Sequence, residues 1–239
     1  MPLINMWVNP LKWLDADPRS PAQGKPTPSS LVSYLTSPDV EGGFDALVAR
    51  YHQVSEMQDP LFAALAERNI LEKLVWPLRS AKGNYALGNY LGCIGLSGMV
   101  GEMVALLLWD ISQPQLAKRH LDDAAQRALF GRSFERLGQQ RRVEVMEGLG
   151  LVERDSVVAF DGLRNIRRRY LHLYSQDHAH IADDALKAYG HAITVVAGVL
   201  GQSMNEGRLL LRSDLMDYLK ERGLLDAGDD DEPQDASHA

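Results

Sequence analysis

The prolines of this 239-residue chain are concentrated at its start, and that distribution limits the possible folds. Eight of the eleven prolines lie in the first 60 residues. Proline fixes φ and removes a backbone donor, so residues 1–43 cannot be mostly helix or central strand. We therefore predict an extended, proline-rich N-terminal arm over residues 1–43, with Trp7 and Trp13 packing on the main body.

From Phe44 onward, apolar residues recur at helical spacing. Over residues 182–204 they step by three and four along one stripe, which predicts a helix with that face against a core. The stripe consists of Ala182, Ala185, Leu186, Tyr189, Ile193, Val196, Leu200 and Met204. No segment shows convincing period-two alternation. The predicted fold class is therefore all-α, an antiparallel helical bundle over residues 44–222.

Capping and breaking residues set the expected helix boundaries. Asp59 followed by Pro60 is typical of a helix start. Pro77 is expected to end or kink the helix that follows, and Ser112 with Pro114 to open another. The expected helices cover about 44–58, 60–76, 84–110, 112–131, 133–148, 155–174, 182–204 and 213–222.

The strongest apolar stretch runs from Tyr85 to Ile111, and Glu102 is its only charge before Asp110. A membrane span and a buried helix both fit such a stretch. Asn84, Asn89 and the glycines favour the buried helix. We expect no membrane contact and a cytoplasmic protein.

Glycines recur along one face of this helix, and each costs about 1 kcal/mol relative to alanine. They are Gly88, Gly92, Gly95, Gly98 and Gly101. The row therefore indicates that another helix backbone approaches closely. Glu102, in the same apolar surroundings, needs a partner, which we expect to be an arginine from a neighbouring helix.

The charge is unevenly placed. Residues 226–239 hold six acidic residues and no Lys or Arg, so we predict a disordered acidic tail there. The tail supplies six of the net seven negative charges, so the acidic total does not exclude a phosphate-bearing partner. A single cysteine excludes a disulfide framework and a cysteine-based zinc cluster.

The densest basic cluster lies in the segment 162–174, which reads GLRNIRRRYLHLY. Its arginines are Arg164, Arg167, Arg168 and Arg169, and His172 follows them. Arginine binds phosphate through fixed donors and stabilises extra charge on phosphorus. Neutral imidazole can accept a proton from a ribose 2′-hydroxyl, and imidazolium can donate one to a leaving oxygen. Such a set can cleave RNA without a metal; the alternative is a solvated helix face.

Arg167-x4-His172 on a late helix resembles the R-x4-6-H signature of the HEPN superfamily (higher eukaryotes and prokaryotes nucleotide-binding). The stretch 88–109, GNYLGCIGLSGMVGEMVALLLW, is similar to the early HEPN helix that carries a glutamate. The GLGLV turn at 148–152 resembles the short break before the motif helix. Together the resemblance covers roughly residues 60–205.

The resemblance implies a helical bundle that forms a homodimer with the two motif helices facing each other. It also implies a metal-independent endoribonuclease or toxin-like effector of a toxin-antitoxin or antiviral defence system, with no cofactor. Arg167 would stabilise the phosphate and His172 would be the general acid and base. Arg164, Arg168 and Arg169 would bind RNA phosphates.

Two features of the motif leave alternatives open. Members commonly have Asn, Asp or His where this chain has Arg168, so the second hypothesis is an inactive HEPN-fold binding or assembly module. His172-Leu173-Tyr174 also resembles the H-x-Tyr extension of toxins whose tyrosine is modified by a partner nucleotidyltransferase, which makes Tyr174 a candidate modification site.

Nearby, His178 and His180 with three aspartates could form a metal site, but we expect a polar loop and no metal.

Overall fold

The two most apolar of the described helices lie at the centre of the fold. A computed structural model describes residues 43–57, 68–171, 178–205 and 208–223. The helices are α1 (Gly43–Glu56), α2 (Arg68–Ala86), α3 (Tyr90–Lys118), α4 (Asp123–Phe130), α5 (Gln139–Gly148), α6 (Arg154–Leu171), α7 (Ile181–Leu200) and α8 (Ser213–Glu221). A 3₁₀ turn (Phe134–Arg136) precedes α5, and the strands β1 (Gly201–Asn205) and β2 (Arg208–Leu211) precede α8.

The core is built from α2, α3, α6 and α7, with α3 contacting the other three. Around it, α1 packs on α2, α5 packs on α6, and α8 packs on α3. Over the described residues the chain is helical apart from one short hairpin, which confirms the predicted all-α class. The predicted arm, except for its last residue, and the predicted acidic tail lie outside the described residues.

The predicted stripe of α7 faces the core. Five of its members are buried: Ala185, Tyr189, Ile193, Val196 and Leu200. Residues on other sides of α7 are buried as well, namely Ala188, Ala192, Val195 and Val199. The helix is buried on more than one side because α2, α3 and α6 all contact it.

Helix α3 is long and apolar enough to cross a membrane by length and composition. Half of its most apolar window is buried inside the fold, where α2, α6 and α7 contact it. A core helix has the same composition, because its side chains are removed from water on several sides. We therefore describe α3 as a core helix.

Both prolines expected to interrupt helices lie inside them. Helix α2 passes through Pro77 and continues to Ala86, so of the two predicted effects of Pro77 the end of the helix is wrong, and a kink stays a prediction. Likewise α3 passes through Pro114 and ends at Lys118, not near Asp110. Apolar side chains beyond each proline, such as Leu78 and Leu116, are buried, and their burial offsets the lost backbone hydrogen bond.

A glycine turn, rather than Asn84, marks the start of α3. Gly88 has a φ of 79°, which glycine adopts without a steric cost. Asn89 then caps the helix by accepting a hydrogen bond from the Gly92 backbone N–H at 3.0 Å. Asn84 belongs to the last turn of α2, where its side-chain oxygen accepts from Asn89 Nδ2 at 2.6 Å.

The connection before α5 also differs from the prediction. Gly131 ends α4 in the left-handed conformation, as expected, but Ser133 precedes a 3₁₀ turn instead of a long helix. Phe134 in that turn is buried and stacks on Trp109, with ring centroids 3.9 Å apart. This contact draws the chain onto α3, so α5 begins only at Gln139.

Helix α7 ends four residues before its predicted end. Gly201 leaves the helical conformation, and β1 pairs with β2 in an antiparallel hairpin. The sequence signal was the Asn205-Glu206-Gly207 triplet, which is typical of a turn between two strands. The next helix, α8, confirms the prediction for about 213–222.

His191 of α7 lies against the backbone of α6. A Cβ atom placed on Gly162 would lie 2.5 Å from His191 Cδ2, so glycine is needed at that position to admit the ring. Burial lowers the pKa of His191, because it removes water from the imidazolium, and Lys187 one turn away lowers it further.

This shift makes folding stability depend on pH. The unfolded chain takes up the His191 proton near the usual pKa of about 6.5, whereas the folded chain resists it, so the free energy of unfolding falls below that pH. We expect the urea midpoint to drop between about pH 7.5 and about pH 5.5, and to drop less in His191→Gln. Equal drops in the two proteins would contradict this account.

Candidate functional site

The basic segment lies on α6, which runs antiparallel to α3 over its row of glycines. Three α6 side chains spaced four residues apart face three of these glycines. The pairs are Leu163 with Gly101, Arg167 with Gly98 and Leu171 with Gly95. The glycines therefore make room for side chains of α6. The prediction that a second helix backbone approaches them is wrong in this respect, because side chains fill the space.

The closest of these contacts involves Arg167. A Cβ atom on Gly98 would lie 2.8 Å from Arg167 Cδ, so the stem of the arginine crosses α3 at this glycine and would have to shift for a larger residue. Its Nη1 donates to Glu102 Oε1, one turn further along α3. The predicted arginine partner of Glu102 is thus Arg167. Both side chains are 38% exposed, so the pair lies at the solvent-facing edge between the two helices.

Arg164 is held on the other side of α6. Its Nη1 donates to the Gln140 side chain on α5, and its Nη2 lies 3.3 Å from Asp161 Oδ1. These contacts tie α6 to α5. They also occupy some of the Arg164 N–H donors that a phosphate would require.

Arg169 belongs to a third network, around Asp184 in the first turn of α7. Asp184 is buried and accepts hydrogen bonds from Arg169 Nη1 and from the Tyr170 hydroxyl, the latter at 2.8 Å. The Tyr170 ring also stacks on His178. Burial raises the pKa of Tyr170, and the hydrogen bond to Asp184 raises it further. This network joins the end of α6 to the start of α7.

Arg168 differs from its neighbours. It is exposed and makes no hydrogen bond or ion pair with any residue that the structure describes. No described residue therefore uses its donors, which leaves them available for an incoming phosphate as far as the described part of the chain is concerned.

Three of the four arginines thus contact different helices. Arg164 contacts α5, Arg167 contacts α3 and Arg169 contacts α7, while Arg168 is exposed. His172 and Tyr174 lie outside the described residues, directly after Leu171 at the end of α6. Their roles, including modification of Tyr174 by a nucleotidyltransferase, stay predictions.

Two partners were not singled out by sequence reasoning. Gln140 gave no signal, because glutamines on exposed helix faces are ordinary. Asp184 was considered only as part of a possible metal group, but it is buried in the first turn of α7, where a carboxylate needs a partner. Within the described residues, no three His, Cys, Asp or Glu side chains lie close enough to hold a metal ion.

No family model, no curated protein and no solved structure matches this chain.

Proposed function

We propose that the chain is a HEPN-like, metal-independent endoribonuclease that acts in a cytoplasmic toxin-antitoxin or antiviral defence setting. The observation that carries the proposal is the placement of Arg167. It is bound by Glu102 at an exposed edge of the bundle, next to Arg168, which has no partner among the described residues, and five residues before His172.

Arg167 has the properties that a phosphate-stabilising group requires. Guanidinium has five N–H donors, and only the one on Glu102 is used within the described residues. The passage over Gly98 and the bond to Glu102 restrict its rotamers, so little entropy is lost when a phosphate binds. The remaining donors can stabilise the charge that builds up on phosphorus.

In the proposed reaction, His172 removes the proton from a ribose 2′-hydroxyl, whose oxygen then attacks the adjacent phosphorus. The bond from phosphorus to the 5′-oxygen breaks, and an imidazolium protonates that oxygen. The products are a 2′,3′-cyclic phosphate and a 5′-hydroxyl. Arg168 would bind a neighbouring phosphate, while Arg164 and Arg169 would contribute through their unused donors.

Cleavage in the presence of EDTA tests the proposal. The parent protein is expected to cut at least one of a varied set of RNA substrates and to leave 2′,3′-cyclic phosphate ends, which are identified by their resistance to phosphatase until acid opens the ring. A His172→Ala preparation, purified in parallel, controls for contaminating nucleases. Intact RNA with the parent, or equal cutting by both preparations, would contradict the proposal.

The proposal includes a homodimer that brings two motif helices together. Two large apolar side chains flank Arg167 and are exposed, namely Met99 at 41% and Leu171 at 43%. A second copy would remove them from water and would bring a second Arg167 and His172 to the same edge.

Sedimentation tests this dimer. The parent is expected to sediment as a dimer at micromolar concentration, and Met99→Glu should shift it to a monomer because the new charge would be buried in the interface. Val158→Glu, on the other half of α6, is the matched control because Val158 is also exposed. A monomeric parent would count against a site assembled from two chains.

A second candidate function is a non-cleaving HEPN-fold binding or assembly module. The specific observation in its favour is that Arg168 occupies the usual polar position while Glu102 neutralises Arg167. The EDTA experiment separates the two functions, since a binding module would retain RNA or a partner protein without cutting.

A further inference from the structure

A second exposed face, away from α6, combines aromatic rings with cations. Trp76 on α2 is 65% exposed, which is unusual for the largest side chain. Arg79 follows one turn later; it is exposed and has no ion-pair partner among the described residues. One turn further, Gly83 has no atom within 4 Å of its Cβ position. Spacings of three and seven residues put all three on one open face of α2.

A second ring and cation lie where α1 packs on α2. Tyr51 is 49% exposed, and Lys82 Nζ lies 4.6 Å from the centre of its ring. His52 is exposed next to it, with its ring edge-on to Tyr51. The pair of Tyr51 and Lys82 adds a second exposed ring with a cation beside it to the two helices. We call the exposed side of α2 that carries Trp76 and Arg79 the Trp76 face.

Its charge is opposite to that of the chain as a whole. Helix α2 contains four basic residues and one acidic residue, a net charge of +3 in a chain with a net charge of −7. Between Trp76 and Ala86, α2 has no acidic residue at all. A partner with negative charge is therefore favoured over an acidic or neutral protein surface.

We propose that the Trp76 face binds single-stranded RNA, with a base stacked on Trp76 and a phosphate paired with Arg79. Stacking on exposed rings needs bases that are not already stacked in a duplex, so the face selects single strands. The inference rests on the proposed ribonuclease function and deepens it, because it names unpaired RNA as the substrate class and gives the strand a path outside the cleavage site.

The test is the affinity for a fluorescein-labelled oligouridine of about 15 nucleotides, measured by anisotropy in EDTA. All proteins carry His172→Ala, so that cutting does not interfere. We expect Trp76→Ala to weaken binding about tenfold or more and Arg79→Ala to weaken it about fivefold. Trp76→Phe should retain most of the affinity because the ring can still stack. A duplex of the same length should bind equally to the parent and Trp76→Ala.

Leu129→Ala is the matched control, because Leu129 is equally exposed on α4 but has no part in the Trp76 face. It should bind as the parent does. Unchanged affinity in Trp76→Ala would overturn the inference. So would a Trp76→Ala protein that keeps its RNA affinity but sediments as a monomer where the parent sediments as a dimer. The proposed function fails separately: a parent that binds oligouridine through Trp76 but never cuts RNA keeps this inference and loses the nuclease.

Discussion

Replacing Arg167 by alanine is expected to lower the rate of RNA cleavage at least about a hundredfold, because one preorganised donor to a developing anion contributes about 10²–10³ in rate. His172→Ala should lower it by about 10²–10⁴, the usual contribution of a general acid or base. Lysine at position 167 keeps the charge but loses the planar fork, so Arg167→Lys should recover only part of the rate.

The matched control for Arg167 is Arg154→Ala. Arg154 lies at the start of α6, is more exposed than Arg167 and pairs only with Glu147 within the described residues. An exposed pair of this kind contributes little to stability, so the variant should fold and cut as the parent does. Rates are measured with the same labelled RNA in EDTA. Equal loss in the Arg154 and Arg167 variants would show that positive charge alone, not the site, determines cutting.

The second large effect is expected at Gly98, which is distant from the motif in sequence. Leucine at this position would occupy the space of the Arg167 stem and separate the guanidinium from Glu102. Overpacking of this kind costs about 1–3 kcal/mol. For a chain of this size that lowers Tm by roughly 2–4 °C per kcal/mol, which calorimetry can resolve. Cleavage should fall as far as in Arg167→Ala, since the same group is displaced.

Gly83→Ala serves as the control for Gly98→Leu. Gly83 is also a helical glycine, but its Cβ position is open. Alanine there should raise the stability by about 0.5–1 kcal/mol through the lower entropy of the unfolded chain. A Gly98→Leu protein with unchanged Tm and full cleavage would contradict the proposed role of the glycine row.

The helical class and the partner of Glu102 were predictable because both follow from local rules. Period and composition determine which face of α7 is buried, and a carboxylate in apolar surroundings needs a cation. The row of glycines also indicated close packing, although only the structure shows that Arg167 and Leu163, and not a backbone, fill the space.

Other features depended on tertiary packing, which one sequence does not encode locally. The passage of α3 through Pro114 depends on how deeply Leu116 is buried beyond it. The separate partners of Arg164, Arg167 and Arg169 depend on three helices that lie at different sides of α6. The exposure of Trp76 was not predictable either, because a tryptophan is usually buried. Only the structure shows how much of its surface the neighbouring residues leave open.

The Asp184 network and the Glu102 pair differ in how far apart along the chain their partners lie. Tyr170 and Asp184 are separated by 14 residues, whereas Arg167 and Glu102 are separated by 65. Loop closure costs about 0.6 kcal/mol more for each doubling of length, so the Glu102 pair costs roughly 1.3 kcal/mol more to close. The contact between the end of α6 and the start of α7 can therefore assemble from one local stretch of chain, whereas Glu102 reaches Arg167 only when distant parts of the chain have met.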